Sequence, residues 1–154
     1  MIDKNPQPRP PNPWKVLEFP GVFGDLGGLV PFEFESMPFA PKRVFIVRDV
    51  FPGTVRGRHA HLKCEQLLVA VAGTVLVELF GGGLRGRVTL DRPDIALQIP
   101  ARIWAHQQYV APNSVLMVFA SEPYEESDYI EDYDVFVKTI ETGSNGTPEQ
   151  AGVI

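Results

Sequence analysis

The sequence has one cysteine, Cys64, and three histidines among its 154 residues. A single thiol excludes an internal disulfide and any zinc site built from paired thiolates. No apolar run approaches the roughly 20 residues that a membrane-spanning helix needs. The opening Met1-Ile2-Asp3-Lys4 carries no apolar signal core, so a cytoplasmic protein is expected. Basic residues are in deficit: 14 Lys and Arg against 19 Asp and Glu leave a net charge of −5. That excludes a general nucleic-acid binder with a basic face. The chain also has no glycine-rich strand-to-helix turn of the kind that cradles a dinucleotide or triphosphate.

Chain-breaking residues, by contrast, are plentiful, with 14 Gly and 15 Pro. The prolines of residues 5–13 remove amide donors and fix φ, so residues 1–13 read as an extended arm. The run Gly143-Ser144-Asn145-Gly146-Thr147-Pro148 marks residues 142–154 as a flexible tail. One domain over 14–141 remains. Within it, short apolar segments alternate with turn signals about every ten residues, the pattern of a sandwich, jelly roll or small barrel. Expected strands are 15–19, 28–34, 42–50, 57–62, 65–72, 74–80, 85–90, 95–99, 105–110 and 114–120. Ile130, Tyr133, Phe136 and Val137 recur at helical spacing. The fold class is therefore all-β with a short C-terminal helix.

Charge is segregated along the chain. Arg43, Arg48, Arg56, Arg58 and Lys63 cluster against one acid, Asp49, whereas the stretch from Glu122 to Asp134 is strongly acidic. The two stretches either pair with each other or one of them faces an anionic ligand. Two histidines fall inside the basic stretch, at His59 and His61. Residues two apart on a strand share a face. His59, His61 and Lys63 are thus expected on one face and Arg56 and Arg58 on the other, with Gly57 permitting a bend. Two imidazoles on one strand face either chelate a metal or form an acid/base pair.

The wider spacing, Gly53-x5-His59-x-His61-x4-Gln66-x6-Gly73, resembles the first signature motif of the cupin superfamily. The second, Pro-x-Gly-x2-His, is kept poorly in Pro100-Ala101-Arg102-Ile103-Trp104-Ala105-His106. In the superfamily a glutamate and a third histidine complete a metal site. Here the glutamate position is Gln66 and His106 is one residue late, a shift that turns a strand side chain to the opposite face. Two imidazoles without a carboxylate make a poor divalent-metal site. A pocket with no metal and no cofactor is expected.

A narrower likeness covers about residues 16 to 138. Lys42-Arg43-Val44-Phe45, Arg56-Gly57-Arg58-His59-Ala60-His61, Glu65-Gln66, Trp104 with Gln107, Ser114–Ser121 and Tyr124–Tyr133 carry it. These segments resemble the WxcM-like sugar 3,4-ketoisomerases that act on dTDP-4-keto-6-deoxyglucose. The resemblance implies a cupin, or jelly-roll, β-barrel and a homodimer in deoxysugar and polysaccharide biosynthesis. It also implies a nucleotide-linked keto-sugar as the small-molecule partner, with no nucleic acid or membrane. On this reading His59 and His61 are catalytic, and sequence does not say which one is the carbon base. Arg56, Arg58 and Lys63 are candidates for the diphosphate, with Gln66, Trp104, Gln107 and Tyr109 as further substrate contacts. Tyr124, Tyr129 and Tyr133 are assigned to helix packing. Family members usually carry a tyrosine in the strand after the Arg-Val pair, where this chain has Phe45-Ile46-Val47. A metal-dependent cupin enzyme, a 3,5-epimerase and a non-catalytic sugar-nucleotide-binding module stand as alternatives.

Overall fold

The computed structural model describes residues 11–141, so most of the expected arm and the whole expected tail lie outside the described residues. Twelve strands follow one another: β1 Lys15–Glu18, β2 Val22–Gly24, β3 Gly27–Leu29, β4 Arg43–Val47, β5 Val55–His61, β6 Gln66–Ala72, β7 Val75–Gly81, β8 Leu84–Leu90, β9 Ile95–Ile99, β10 Trp104–Tyr109, β11 Val115–Ala120 and β12 Tyr129–Ile130. One sheet has the order β1-β9-β6-β11-β4 and the other β12-β5-β10-β7-β8, while β2 and β3 form a separate hairpin. Every strand pairing among the described residues is antiparallel, as in β10 with β5 and β11 with β6.

Alternation places the inner residues of both sheets in one core. Leu68, Ala70, Leu97, Leu116 and Val118 from the first sheet meet Val75, Val77, Leu79, Ala105 and Tyr109 from the second. β6 breaks the alternation: Leu67, Leu68, Val69 and Ala70 are all buried. A strand covered on both faces reads as a continuous apolar run. The outer cover is the segment after β3, where Val30, Phe32, Met37 and Phe39 pack on Leu67, Val69 and Phe119.

That segment corrects the expected strand 28–34. Its strand ends at Leu29 and a 3-10 turn occupies Phe34–Ser36. Pro31 supplies no ladder donor, so pairing cannot continue through it. The expected helix is also displaced. Ile130 lies in β12, pairing with Ala60, and the α-turn α1 spans Tyr133–Phe136 before widening into a π-type turn over Val137–Glu141. Its start is set by Asp132, whose carboxylate accepts from the amide of Val135 at 3.0 Å.

The turn between β6 and β7 is held by Ser114, which is fully buried. Its hydroxyl accepts from the amide of Thr74 at 3.0 Å and donates to the carbonyl of Ala111 at 2.7 Å. Gly73 beside it has φ +72, and a Cβ there would meet the Ser114 hydroxyl at 2.3 Å. Removing the hydroxyl leaves a part-buried amide and carbonyl without their partner, so Ser114→Ala is expected to cost about 1–3 kcal/mol in urea unfolding. An unchanged midpoint would show that water replaces the hydroxyl.

Candidate active site

β5 carries the histidines, and its regularity is broken just before them. β10 pairs Ala105 with His59 and His106 with Gly57, which leaves Arg58 as an extra residue. Gly57 at φ +91 and Arg58 at φ +50 make the bulge. An added residue reverses the facing of everything before it. Arg56 therefore lines the same cavity as His59, contrary to the expectation that it faces away. Arg58 is exposed and is not part of the cavity lining.

The cavity, about 140 Å³, opens between the two sheets. Arg56, His59, Gln66, Gln107, Tyr109 and Tyr129 supply its polar wall, with Phe45, Val47, Leu68 and Val118 on the apolar side. His61 stands behind His59, ring centroids 4.9 Å apart and planes at 88°. Each imidazole is oriented by its Nδ1. In His59 this atom lies 2.9 Å from the carbonyl of Gly57. In His61 it lies 2.9 Å from Oδ2 of Asp128. A carbonyl and a carboxylate can only accept, so Nδ1–H is the donor in both rings. The neutral tautomer of each histidine then keeps its lone pair on Nε2.

Asp128 is the residue that sequence reading missed. Besides His61 it accepts from the amides of Lys63 at 2.7 Å and Cys64 at 3.3 Å. The next residue, Tyr129, is also reassigned. Instead of packing the helix, its ring lies 4.4 Å from His61 and 4.9 Å from His59 and borders the cavity. The available signal was the acidic segment itself: an acid and an aromatic side by side, 67 residues after His61, in a chain whose basic stretch lacked partners.

Besides Arg58, two expected substrate contacts lie elsewhere. β5 ends at His61, so Lys63 does not continue its face and is exposed. Trp104 is buried with Ala60, Ile130 and Phe136 in a separate apolar cluster, and Tyr133 meets it edge-on at 5.2 Å. It caps the helix seam rather than the cavity. Gln66, Gln107 and Tyr109 do reach the cavity.

The donors of a metal-binding cupin do not converge. His106 lies outside this cavity's lining and is bonded through Nε2 to Glu78 at 2.7 Å. Gln66 offers only a neutral amide. His61, Cys64 and Asp128 bring ligand atoms within 4.8 Å of one another. Those atoms are already engaged, however: the carboxylate by two amides and an imidazole, the thiol by the carbonyl of Glu65 at 3.3 Å. The residues present do not fit the metal site of the superfamily.

Electrostatics favour neutral rings. Burial pushes His59 below 6.5, opposed by the Gly57 carbonyl and by Glu131. Burial, then the neighbouring His59, lower His61, with Asp128 opposing and Arg43 adding a smaller depression. Burial drives the Tyr109 phenol up to about 12, with Arg56 opposing. Three buried side-chain atoms have no hydrogen-bond partner among the described residues: Arg43 Nε, His61 Nε2 and the Tyr109 hydroxyl. Tyr109 lines the cavity and His61 packs directly behind its wall, and orphaned buried polar atoms are rare away from functional sites.

These shifts set a sign for stability. The unfolded chain takes up protons at His59 near pH 6.5, whereas the folded chain resists until lower pH, so stability falls as pH drops from 7 towards 5. His59→Asn removes one titrating site, and its urea midpoint is expected to lose less over that interval than the unmodified protein. Equal losses would contradict the depressed pKa.

Comparison with known proteins agrees with this geometry. A TDP-4-oxo-6-deoxy-alpha-D-glucose-3,4-oxoisomerase from Aneurinibacillus thermoaerophilus is 38% identical over 127 residues, covering 82% of this chain and 91% of that protein. A 3,4-ketoisomerase from Helicobacter canadensis superposes with TM-score 0.79 at 32% identity, covering 84% of this chain and 98% of that one. QdtA, a sugar 3,4-ketoisomerase from Thermoanaerobacterium thermosaccharolyticum solved in complex with TDP, gives TM-score 0.80 at 30% identity, covering 84% and 95%. Residues 12–141 match the family described as FdtA: WxcM-like, C-terminal, and the chain belongs to that family.

Proposed function

We propose that the protein is a nucleotide-sugar 3,4-ketoisomerase of deoxysugar biosynthesis, moving the ketone of dTDP-4-keto-6-deoxyglucose from C4 to C3. The observation that carries this reading is the pair of packed imidazoles, His59 bordering the cavity and His61 behind it, each with Nδ1 bound to an acceptor and Nε2 left as a base. The relatives' 3,4-ketoisomerase and oxoisomerase activities agree with it.

The carbonyl at C4 acidifies the hydrogen on C3, and a base near neutrality removes it to give an enediolate. His59 takes this role because it borders the cavity, whereas His61 stands behind it. Held neutral by burial, His59 has its lone pair available at physiological pH. His61, tied to Asp128, is the second proton carrier, and Tyr129 holds both rings in place. Arg56 is exposed yet lines the cavity, which suits a diphosphate that stays in contact with water. Gln66 and Gln107 address sugar hydroxyls. Arg58, Lys63 and Trp104 take no part in this reading.

Proton NMR of dTDP-4-keto-6-deoxyglucose with the protein in heavy water is the test. Deuterium at C3 of unreacted substrate and at C4 of a growing 3-keto sugar is expected. His59→Asn should lower turnover about 10²–10⁴-fold with the melting curve retained. Inversion of stereocentres with the ketone still at C4 would assign an epimerase. Binding without exchange would assign a non-catalytic module.

The same reading includes a cytoplasmic enzyme and a homodimer. The hairpin β2–β3 exposes Val22, Phe23, Leu26 and Leu29, with Leu26 wholly exposed at its tip. A two-stranded hairpin is marginal alone, and a second copy is the cover we assign to it. Sedimentation is expected to give a dimer that Leu26→Asp shifts towards monomer. A monomeric wild-type chain would remove this part of the reading.

A further inference from the structure

The hydrogen that returns at C4 enters from one of two faces, and the face decides which sugar is made. The C–H bond broken at C3 must stand across the plane of the carbonyl, because only there does its bonding pair overlap the π system. The bond formed at C4 stands across the enediolate plane for the same reason. A base therefore works from above a face of the ring and not from its edge. C3 and C4 are neighbours, so one base above that face reaches both.

The cavity lies between the two sheets, and a sugar ring seated in it turns one face to each. The two walls differ in kind. The sheet β12-β5-β10-β7-β8 brings Arg56 and His59 from β5, Tyr109 from β10 and Tyr129 from β12, with His61 behind His59. The facing sheet brings Phe45, Val47, Leu68, Leu116 and Val118, with Gln66 as its one polar group in the lining. The Gln66 amide does not release protons near neutrality, and Arg43, beside Phe45 on β4 but outside the lining, keeps its proton as a guanidinium. Leu68, Leu116 and Val118 are buried, and an apolar wall gives water no partners that would hold it there. In the lining, the groups that exchange protons thus stand on one side of the ring.

That side fixes the pose. In a D-gluco ring the C3 hydrogen lies on the α face, so His59 requires this face to meet its own sheet. A diphosphate joined α at C1 leaves the ring on the same face, where Arg56 lies on the same strand as His59. One pose satisfies both residues. We propose that the transfer is suprafacial: the hydrogen enters C4 on the face from which C3 lost one, and the product has the galacto configuration at C4. The C3–H pair becomes the C3=C4 bond of the enediolate while the π pair of the C4 carbonyl moves to its oxygen. The C3=C4 pair then takes the proton back from His59 at C4, and the O3 proton passes to O4 with His61 as the second carrier. No oxidant or reductant enters. In glucose the C4 hydrogen points to the β face; here it points to the α face, so the 4-hydroxyl is inverted. The assignment rests on the ketoisomerase reading and adds the configuration of its product.

The test is product analysis with the unmodified enzyme on dTDP-4-keto-6-deoxyglucose. Samples from the first turnovers are quenched with borodeuteride, before free product enolises again, and the sugars are released by acid. Deuterium marks the carbon that was a ketone, so product carries it at C3 and unreacted substrate at C4. Galacto product yields C3-labelled 6-deoxygalactose and 6-deoxygulose, whereas gluco product yields C3-labelled 6-deoxyglucose and 6-deoxyallose. A positioned acid or base is worth about 10²–10⁴-fold over water, so the galacto pair is expected in at least about a tenfold excess. A gluco excess, or equal amounts of the two pairs, overturns the assignment while the ketoisomerase reading stands. Absence of any C3-labelled sugar overturns both.

Discussion

The site depends on one carboxylate. Asp128 arrives from a segment far along the chain and closes onto the end of β5, accepting from the imidazole of His61 and from two backbone amides. Its own carbonyl accepts from the amide of Leu62 at 2.9 Å. Four hydrogen bonds from three consecutive residues and a ring make this a closed joint in a dry environment, where each bond is electrostatically stronger than in water. The joint fixes the tautomer of His61, and it sets Tyr129 against both imidazoles because Tyr129 pairs with His61 in register. Packing of the final strand and orientation of the His61 ring are one event.

A second constraint is the bulge at Gly57 and Arg58. Without the extra residue, alternation would turn Arg56 out of the barrel and leave the cavity without a cation from β5. Both residues adopt left-handed φ values, which glycine tolerates and arginine adopts at a cost of order 1 kcal/mol. Arg102, at the position where the second cupin motif places glycine, shows the same conformation at φ +67. The backbone there takes a conformation that glycine tolerates best although the residue is arginine.

The unpaired atoms around the cavity show a division between stability and use. Most polar groups of this domain find partners, as the Ser114 hydroxyl does by accepting from Thr74 and donating to Ala111. His61 Nε2, Arg43 Nε and the Tyr109 hydroxyl do not. Arg43 also lies over the rings of Phe45 and Tyr124, at 5.2 and 5.5 Å. Of the three, the Tyr109 hydroxyl lines the cavity, and His61 packs against His59 behind its wall.

By itself the sequence determined the class of fold and the pair of histidines. Strand-length apolar segments between Gly and Pro turns have few packed solutions, and residues two apart on a strand must share a face. It also indicated that His106 stands apart, since a one-residue offset on a strand reverses a side chain. Tertiary structure decided the rest. Arg56 could not be placed because a bulge is a local reversal that periodicity does not announce. Asp128 and Tyr129 could not be placed because their meeting with His61 spans more than sixty residues, and pairing at that range is set by how strands stack rather than by local propensity. Lys63 is expected on the histidine face by alternation and Trp104 beside the substrate by likeness to the family, but the end of β5 and the seam beneath the helix put them elsewhere. Local rules fix which face a side chain takes within an element. Only the closure of the barrel decides which faces meet.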